Sequence, residues 1–315
     1  MKSIILPILM SFAAALPAQG QNTPLTIYGI RGPSAVGMIL LFENPPRVRG
    51  FDLKLEALAQ ADLVAAKLIS GEAKVGVLPP NVAAKIAASG RDIQIAAVIG
   101  TGMLSLLSAD PSVQRIEDLR GKTVEVAGQG ATPDYVFRRI LLAHGLDPDR
   151  DLRLSYSLAY PEIAQSRIAG RVGIALLPEP FATQAQAGRP DLRRVGDVQD
   201  EWIKTGGEAN YPMTALVVDG EFARNNRLVV QTILEALRLS TQWVSSHPAE
   251  AGLLVDKHDL GIAGRVAAAA IPRSNYVFIR AAEARPALES LFRAFLEYAP
   301  QSIGGSLPAD RFYYR

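Results

Sequence analysis

Residues 52–79 read DLKLEALAQADLVAAKLISGEAKVGVLP, and residues 151–178 read DLRLSYSLAYPEIAQSRIAGRVGIALLP. Both stretches begin on Asp-Leu, place a glycine at 71 and 170, and end on Leu-Pro at 78–79 and 177–178, a constant offset of 99 residues. Gly29 with Gly128, and Asp92 with Asp191, carry the same offset outward. In the first copy Leu53 and Leu55 alternate with Lys54 and Glu56, the pattern of a half-buried strand. Residues 62–70 then read as a helix closed by Gly71, in the position where left-handed residues end helices. Val75 to Leu78 is short and wholly apolar, a buried strand. Strand, helix and strand in repeated order predict an α/β lobe with a parallel sheet and right-handed crossovers. Two copies predict two such lobes facing each other across a cleft.

Outward from these stretches, the first lobe gains a strand over 25–30, a helix from Arg31 to about Asn44 stopped by Pro45-Pro46, a helix from Pro80, and a strand over 93–98. The second lobe repeats the order with strands over 123–127, 152–157, 172–177 and 192–195 and helices over 132–144, 161–169 and 180–187. Met103 to Ser108 resembles Met213 to Val218 at an offset of 110, because the second copy carries extra residues around 199–206. These two segments read as paired strands that carry the chain out of the first lobe and back, forming a hinge. The expected plan is a first lobe from 21–105, a second from 106–212, and a return to the first over 213–315. The return is mainly helical, with an amphipathic stretch over 227–246 bearing Trp243 on its apolar side and a second over 281–298.

Residues 1–20, MKSIILPILMSFAAALPAQG, combine one lysine, a short apolar run and a small-x-small ending. They are expected to be a cleaved secretory signal. The chain has no cysteine, which excludes disulfides, thiolate chemistry and a lipid-modified cysteine. The expected location is therefore the periplasm, in soluble, monomeric form. The net charge is +2 and the basic residues are scattered, without the stripe that nucleic-acid binding requires.

In open sheets of this kind ligands bind beyond the carboxyl ends of strands, where helix N-termini offer free N–H groups. Two matched loops lie there, Tyr28-Gly29-Ile30-Arg31-Gly32-Pro33-Ser34 and Ala127-Gly128-Gln129-Gly130-Ala131-Thr132-Pro133. One reading is that the glycines permit tight turns and Thr132 caps its helix. The other is that Arg31, Ser34, Gln129, Gly130 and Thr132 clasp a small ligand. A second matched pair, Leu78-Pro79-Pro80-Asn81 and Leu177-Pro178-Glu179-Pro180-Phe181, points Asn81 and Glu179 at the cleft from opposite walls. Thr101, between the strand over 93–98 and the hinge segment at 103–108, joins the candidates. Tyr28, Tyr160, Tyr211 and Trp202 lie at strand ends or near the hinge, where rings can stack on a flat ligand or simply pack. The three histidines, 144, 247 and 258, are not spaced as metal ligands, and no nucleophile–base arrangement is visible. Neither metal nor cofactor is expected. Arg31 and the helix N-termini favour an anionic ligand, Asp134 offsets one of those dipoles, and Glu179 favours a ligand with donors, so its charge stays open.

The segments LTIYGIRGPSAVG, LVAAKLISGEAKVGVLPPNVAAKI, IEDLRGKTVEVAGQGATPDYVFRRILLAHGLDPDRDLRLSY and IAQSRIAGRVGIALLPEPFAT together resemble periplasmic substrate-binding proteins of ABC importers. The similarity is to the nitrate, taurine, sulfonate and thiamine-pyrimidine binders, over about Leu25 to Glu250. Its most specific parts are Ile116 to Lys122 and Leu177 to Phe181. The resemblance implies a type II two-lobed fold with two hinge-crossing strands, capture of a small organic molecule or oxyanion, transient docking on inner-membrane permease subunits, and no enzymatic turnover. An enzyme of menaquinone-precursor or pyrimidine-synthesis type on the same fold, and a periplasmic sensor module, are the alternatives.

Overall fold

The computed structural model describes residues 22–126, 128–207 and 210–315. The segment read as a secretory signal lies outside the described residues. The first four strands are β1 (Thr23–Ile30), β2 (Phe51–Leu58), β3 (Val75–Leu78) and β4 (Ile93–Thr101). They are followed by β5 (Leu104–Ser108), β6 (Thr123–Val126), β7 (Arg153–Ser155), β8 (Ile174–Pro178) and β9 (Arg193–Asp197), and then by β10 (Pro212–Asp219) and β11 (Tyr276–Arg280). They form two sheets, ordered β11-β4-β10-β3-β1-β2 and β7-β6-β8-β5-β9.

The 99-residue repeat is visible in this order. Strands β1, β2, β3 and β4 correspond to β6, β7, β8 and β9, and the slot between the third and fourth strand of each set is filled from elsewhere. In the first sheet the slot holds β10, and in the second it holds β5. Both inserted strands run antiparallel to their neighbours. The sheets are therefore mixed, not parallel as the strand–helix alternation suggests, because each inserted strand enters its sheet directly from the hinge with no crossover helix to reverse it. The crossing segments meet at the hinge, where Pro212 lies opposite Thr101 and the Gly102 N–H donates to the Tyr211 carbonyl at 3.1 Å. Beyond that point β5 and β10 do not pair with each other. They diverge into different sheets.

The helix expected over 31–44 is two short helices, Pro33–Gly37 and Ile39–Glu43, interrupted at Met38. Gly37 lies so close to the Tyr276 ring that a β-carbon there would stand 2.9 Å from it. The extra residues of the second copy form a helix, Val198–Lys204, capped by the Asp197 carboxylate. On the first sheet, the helix Arg227–Ser246 buries Val230, Ile233, Leu234, Leu237 and Val244, the i, i+3, i+4, i+7 stripe expected of an amphipathic helix. The helix Ala281–Tyr298 packs on the first sheet and also reaches the helix Thr132–Ala143 beside the second. There the Phe295 and Tyr135 rings lie 5.4 Å apart, and the Tyr298 hydroxyl donates to the Tyr135 carbonyl. One continuous apolar core thus runs through both halves.

His144 ends the helix Thr132–Ala143 and ties it to two other elements, with Nδ1 2.8 Å from Glu117 and Nε2 2.8 Å from Glu201. Burial works against the charged ring, but the two carboxylates outweigh it and raise the His144 pKa above its usual value. A raised histidine pKa contributes stability that is complete below about 6.5 and is lost as pH rises through the folded-state value. Stability measured by urea unfolding across the neutral range is expected to fall with rising pH, and His144→Gln is expected to remove that part of the slope.

Candidate functional site

A cavity of about 560 Å³ lies between the two sheets. Its first wall comes from the carboxyl ends of β1 and β3, with Ile30, Pro33, Ser34 and Pro79, and from the helix Ala61–Ser70, which presents Asp62, Ala65, Ala66 and Ile69. Its second wall comes from the loop after β6, with Gly128, Gln129 and Ala131, and from the segment after β7, with Tyr156 to Tyr160 and Glu162. Met213 and Thr214 close it at the hinge. This is the position that open α/β sheets favour for ligands.

The loop after β1 is held by Ser34, whose hydroxyl donates to the Ile30 carbonyl at 2.9 Å and accepts from the Ile30 N–H at 2.8 Å. Gly32 in this loop has φ 86°, and a β-carbon there would run into the Phe181 ring from the opposite lobe. Phe181 in turn stacks on Tyr160, with centroids 5.9 Å apart and planes inclined by 20°. Through Phe181 this ring pair meets the first lobe at Gly32, while Tyr160 lines the cavity. Burial, and then the nearby Asp134 carboxylate, raise the Tyr160 pKa, so its phenol stays protonated at neutral pH.

Of the residues singled out from the sequence, Ser34 and Gln129 line the cavity. Asn81 and Thr132 are both fully buried and are turned toward each other instead. The Thr132 hydroxyl donates to Asn81 Oδ1 at 2.9 Å, and Asn81 Nδ2 donates to the Gly130 carbonyl at 2.8 Å. Asn81, Gly130 and Thr132 therefore form a polar seam between the lobes. Arg31 is exposed and lies outside the lining, its Nε donating to the Ala57 carbonyl at 3.4 Å. The Glu179 carboxylate is used within its own lobe: Oε1 accepts from Arg194 at 2.6 Å and Oε2 caps the next helix through the Thr183 N–H at 3.0 Å. Tyr28 is buried in β1 with the Lys67 ammonium 4.9 Å from its ring centre. Thr101 and Tyr211 are buried at the hinge. Trp202 is core, tilted against Tyr211 at 5.3 Å with the Arg139 guanidinium 4.4 Å from its ring.

The segments that sequence reasoning passed over are 59–62 and 156–162, apart from Tyr160. The repeat held the signal. Residues 59–62 and 158–161 are related by the same offset of 99, and both join the second strand of a lobe to its helix.

A family model described as "NMT1/THI5 like" matches residues 47–251. The chain belongs to this family. Among solved structures, an ABC transporter protein from Parabacteroides distasonis is 27% identical, with a TM-score of 0.76 over 93% of this chain and 99% of the other. The periplasmic aliphatic sulphonate binding protein SsuA from Escherichia coli aligns with a TM-score of 0.72 at 16% identity, covering 94% of this chain and 93% of its own. The periplasmic nitrate-binding protein NrtA from Synechocystis PCC 6803 does so with 0.69 at 12%, covering 92% and 83%. YtlA of Bacillus subtilis (strain 168), named provisionally as a binding protein, is 25% identical over 134 residues, which is 42% of this chain but 38% of the length of YtlA. The fold is the two-lobed type II fold of periplasmic binding proteins, and the chain's relatives are solute-binding proteins of ABC transporters. Among the described residues no helix is long and apolar enough to cross a membrane.

The seam gives a direct expectation. Asn81→Leu leaves the buried Thr132 hydroxyl without its partner, which costs about 1–3 kcal/mol, and removes the donor to the half-buried Gly130 carbonyl. Urea unfolding should show that loss, and the double variant Asn81→Leu/Thr132→Val should recover part of it.

Proposed function

We propose that this chain is the solute-binding component of an ABC import system, exported to the periplasm, with a first lobe formed by 21–105 and 213–315 and a second by 106–212. It captures a small organic molecule in the interlobe cavity and presents the liganded form to the permease. The observation that carries this reading is one cavity with walls from both halves, at the carboxyl ends of their strands, with the return crossing at Met213 and Thr214 closing it. A ligand that touches both walls stabilises the closed arrangement of the lobes over an open one, and the two-stranded crossing lets them rotate as rigid bodies. Ser34, Gln129 and Ser157 supply polar contacts, and Tyr160 a ring face. The relatives' roles as transport binding proteins support a carrier without turnover.

The test is native mass spectrometry of the protein purified from the cell that exports it. A small-molecule adduct is expected that disappears on denaturation. Ala159 is a partly exposed cavity residue at the start of the helix Tyr160–Ile168. Ala159→Trp should fill the space and abolish the adduct without lowering the melting temperature. An adduct that persists in Ala159→Trp would place the site elsewhere, and conversion of the bound molecule would replace the carrier with an enzyme.

A further inference from the structure

If the interlobe cavity is the ligand site, its lining also constrains the charge of what it holds. Among the described residues that line it there is no lysine, arginine or histidine, whereas Asp62 and Glu162 stand on opposite walls. One guanidinium behind the lining, Arg138, is already held by Asp134 at 2.9 Å and Asp149 at 2.9 Å, with its remaining nitrogen donating to the Tyr156 hydroxyl at 3.1 Å.

The helix N-termini carry the stronger argument. An anion site of this fold type is made by helix N-termini that leave their N–H groups free for the ligand. Four helices of at least eight residues begin at this cavity, Ala61–Ser70, Pro80–Ala88, Thr132–Ala143 and Tyr160–Ile168. At three of them a carboxylate of the chain stands in the first turn and accepts a backbone N–H, and the fourth, Pro80–Ala88, opens on a proline that has no N–H to offer. Asp62 Oδ1 accepts from the Leu63 N–H, Asp134 Oδ2 from the Gly130 N–H, and Glu162 Oε2 from the Ala159 N–H, each at 2.9 Å. An incoming anion would meet the Asp62 and Glu162 carboxylates on opposite walls, with Asp134 behind the lining already paired with Arg138. The apolar part of the lining includes Ala65, Ala66, Ile69, Leu158 and the ring of Tyr160.

We infer that the cavity rejects anions and takes a small ligand with a largely apolar body and a neutral or positively charged, hydrogen-bond-donating head. This inference rests on the cavity being the ligand site. It separates this chain from structural relatives whose names specify sulphonate or nitrate, which at 16% and 12% identity share the fold alone.

Three probes of one shape and different head charge test it: benzylamine, benzyl alcohol and benzenesulfonate, each in large excess at matched ionic strength, read as shifts in melting temperature. Benzylamine is expected to raise it by about 2–3 °C, benzyl alcohol by less, and benzenesulfonate not at all. In Asp62→Asn/Glu162→Gln, which keeps side-chain acceptors at both helix starts, benzylamine should fall to the level of benzyl alcohol while the alcohol's shift stays unchanged. A benzenesulfonate shift equal to or above that of benzylamine overturns the charge assignment but leaves the cavity as the site. Absence of any shift from all three overturns the ligand class, and the binding role itself is then decided by the co-purified adduct and Ala159→Trp.

Discussion

Each sheet of this protein is completed by a strand that the chain can deliver only by crossing the hinge. β10 lies between β3 and β4, so the first sheet is unfinished until the whole second lobe has been traced, and β5 fills the equivalent gap in the second sheet as the chain leaves the first. This exchange fixes the relation between the lobes. It places the two crossings side by side at Thr101–Gly102 and Tyr211–Pro212, and it brings the carboxyl ends of β1, β3, β6 and β7 to the same interlobe space. The cavity exists where it does because two similar sheets are joined in this way.

Two sets of polar groups lie where the lobes meet, and they have different tasks. Asn81, Thr132 and the Gly130 carbonyl bond to one another and join the lobes, with both side chains fully buried. Unpaired, such groups would cost free energy, so the seam favours one registry of the lobes. Asp62, Asp134 and Glu162 instead accept backbone N–H groups at the starts of three of the four helices that open onto the cavity. The same backbone geometry that makes an anion cradle in this type of fold is here occupied from within, so the fold by itself does not specify ligand charge.

Much of the architecture was legible because a constant offset of 99 residues places Leu78-Pro79 over Leu177-Pro178 and Gly29 over Gly128, and offsets survive folding as strand order. Strand direction was not legible. The similarity of 103–108 to 213–218 reveals equivalent strands but not that both run antiparallel to their neighbours, a consequence of how each enters its sheet. Residues of the loops singled out in the sequence line the cavity, while several of their side chains point elsewhere. Thr132 and Asn81 turn to each other because the phase of their helices points them across the seam, and Glu179 is claimed by Arg194, a partner that arrives only with β9. Asp62 and Glu162 were hidden by their ordinary place in a helix's first turn, where acidic residues are common whatever lies outside.

The central claim is that one ligand is held jointly by both lobes. Hydrogen–deuterium exchange decides it most directly, comparing the protein as purified from the exporting cell with the same protein stripped by unfolding and refolding. The account predicts slower exchange in the purified form at residues 59–63 and 157–163 together, one segment from each wall. Protection confined to one of these segments, or equal exchange in the two preparations, would contradict it.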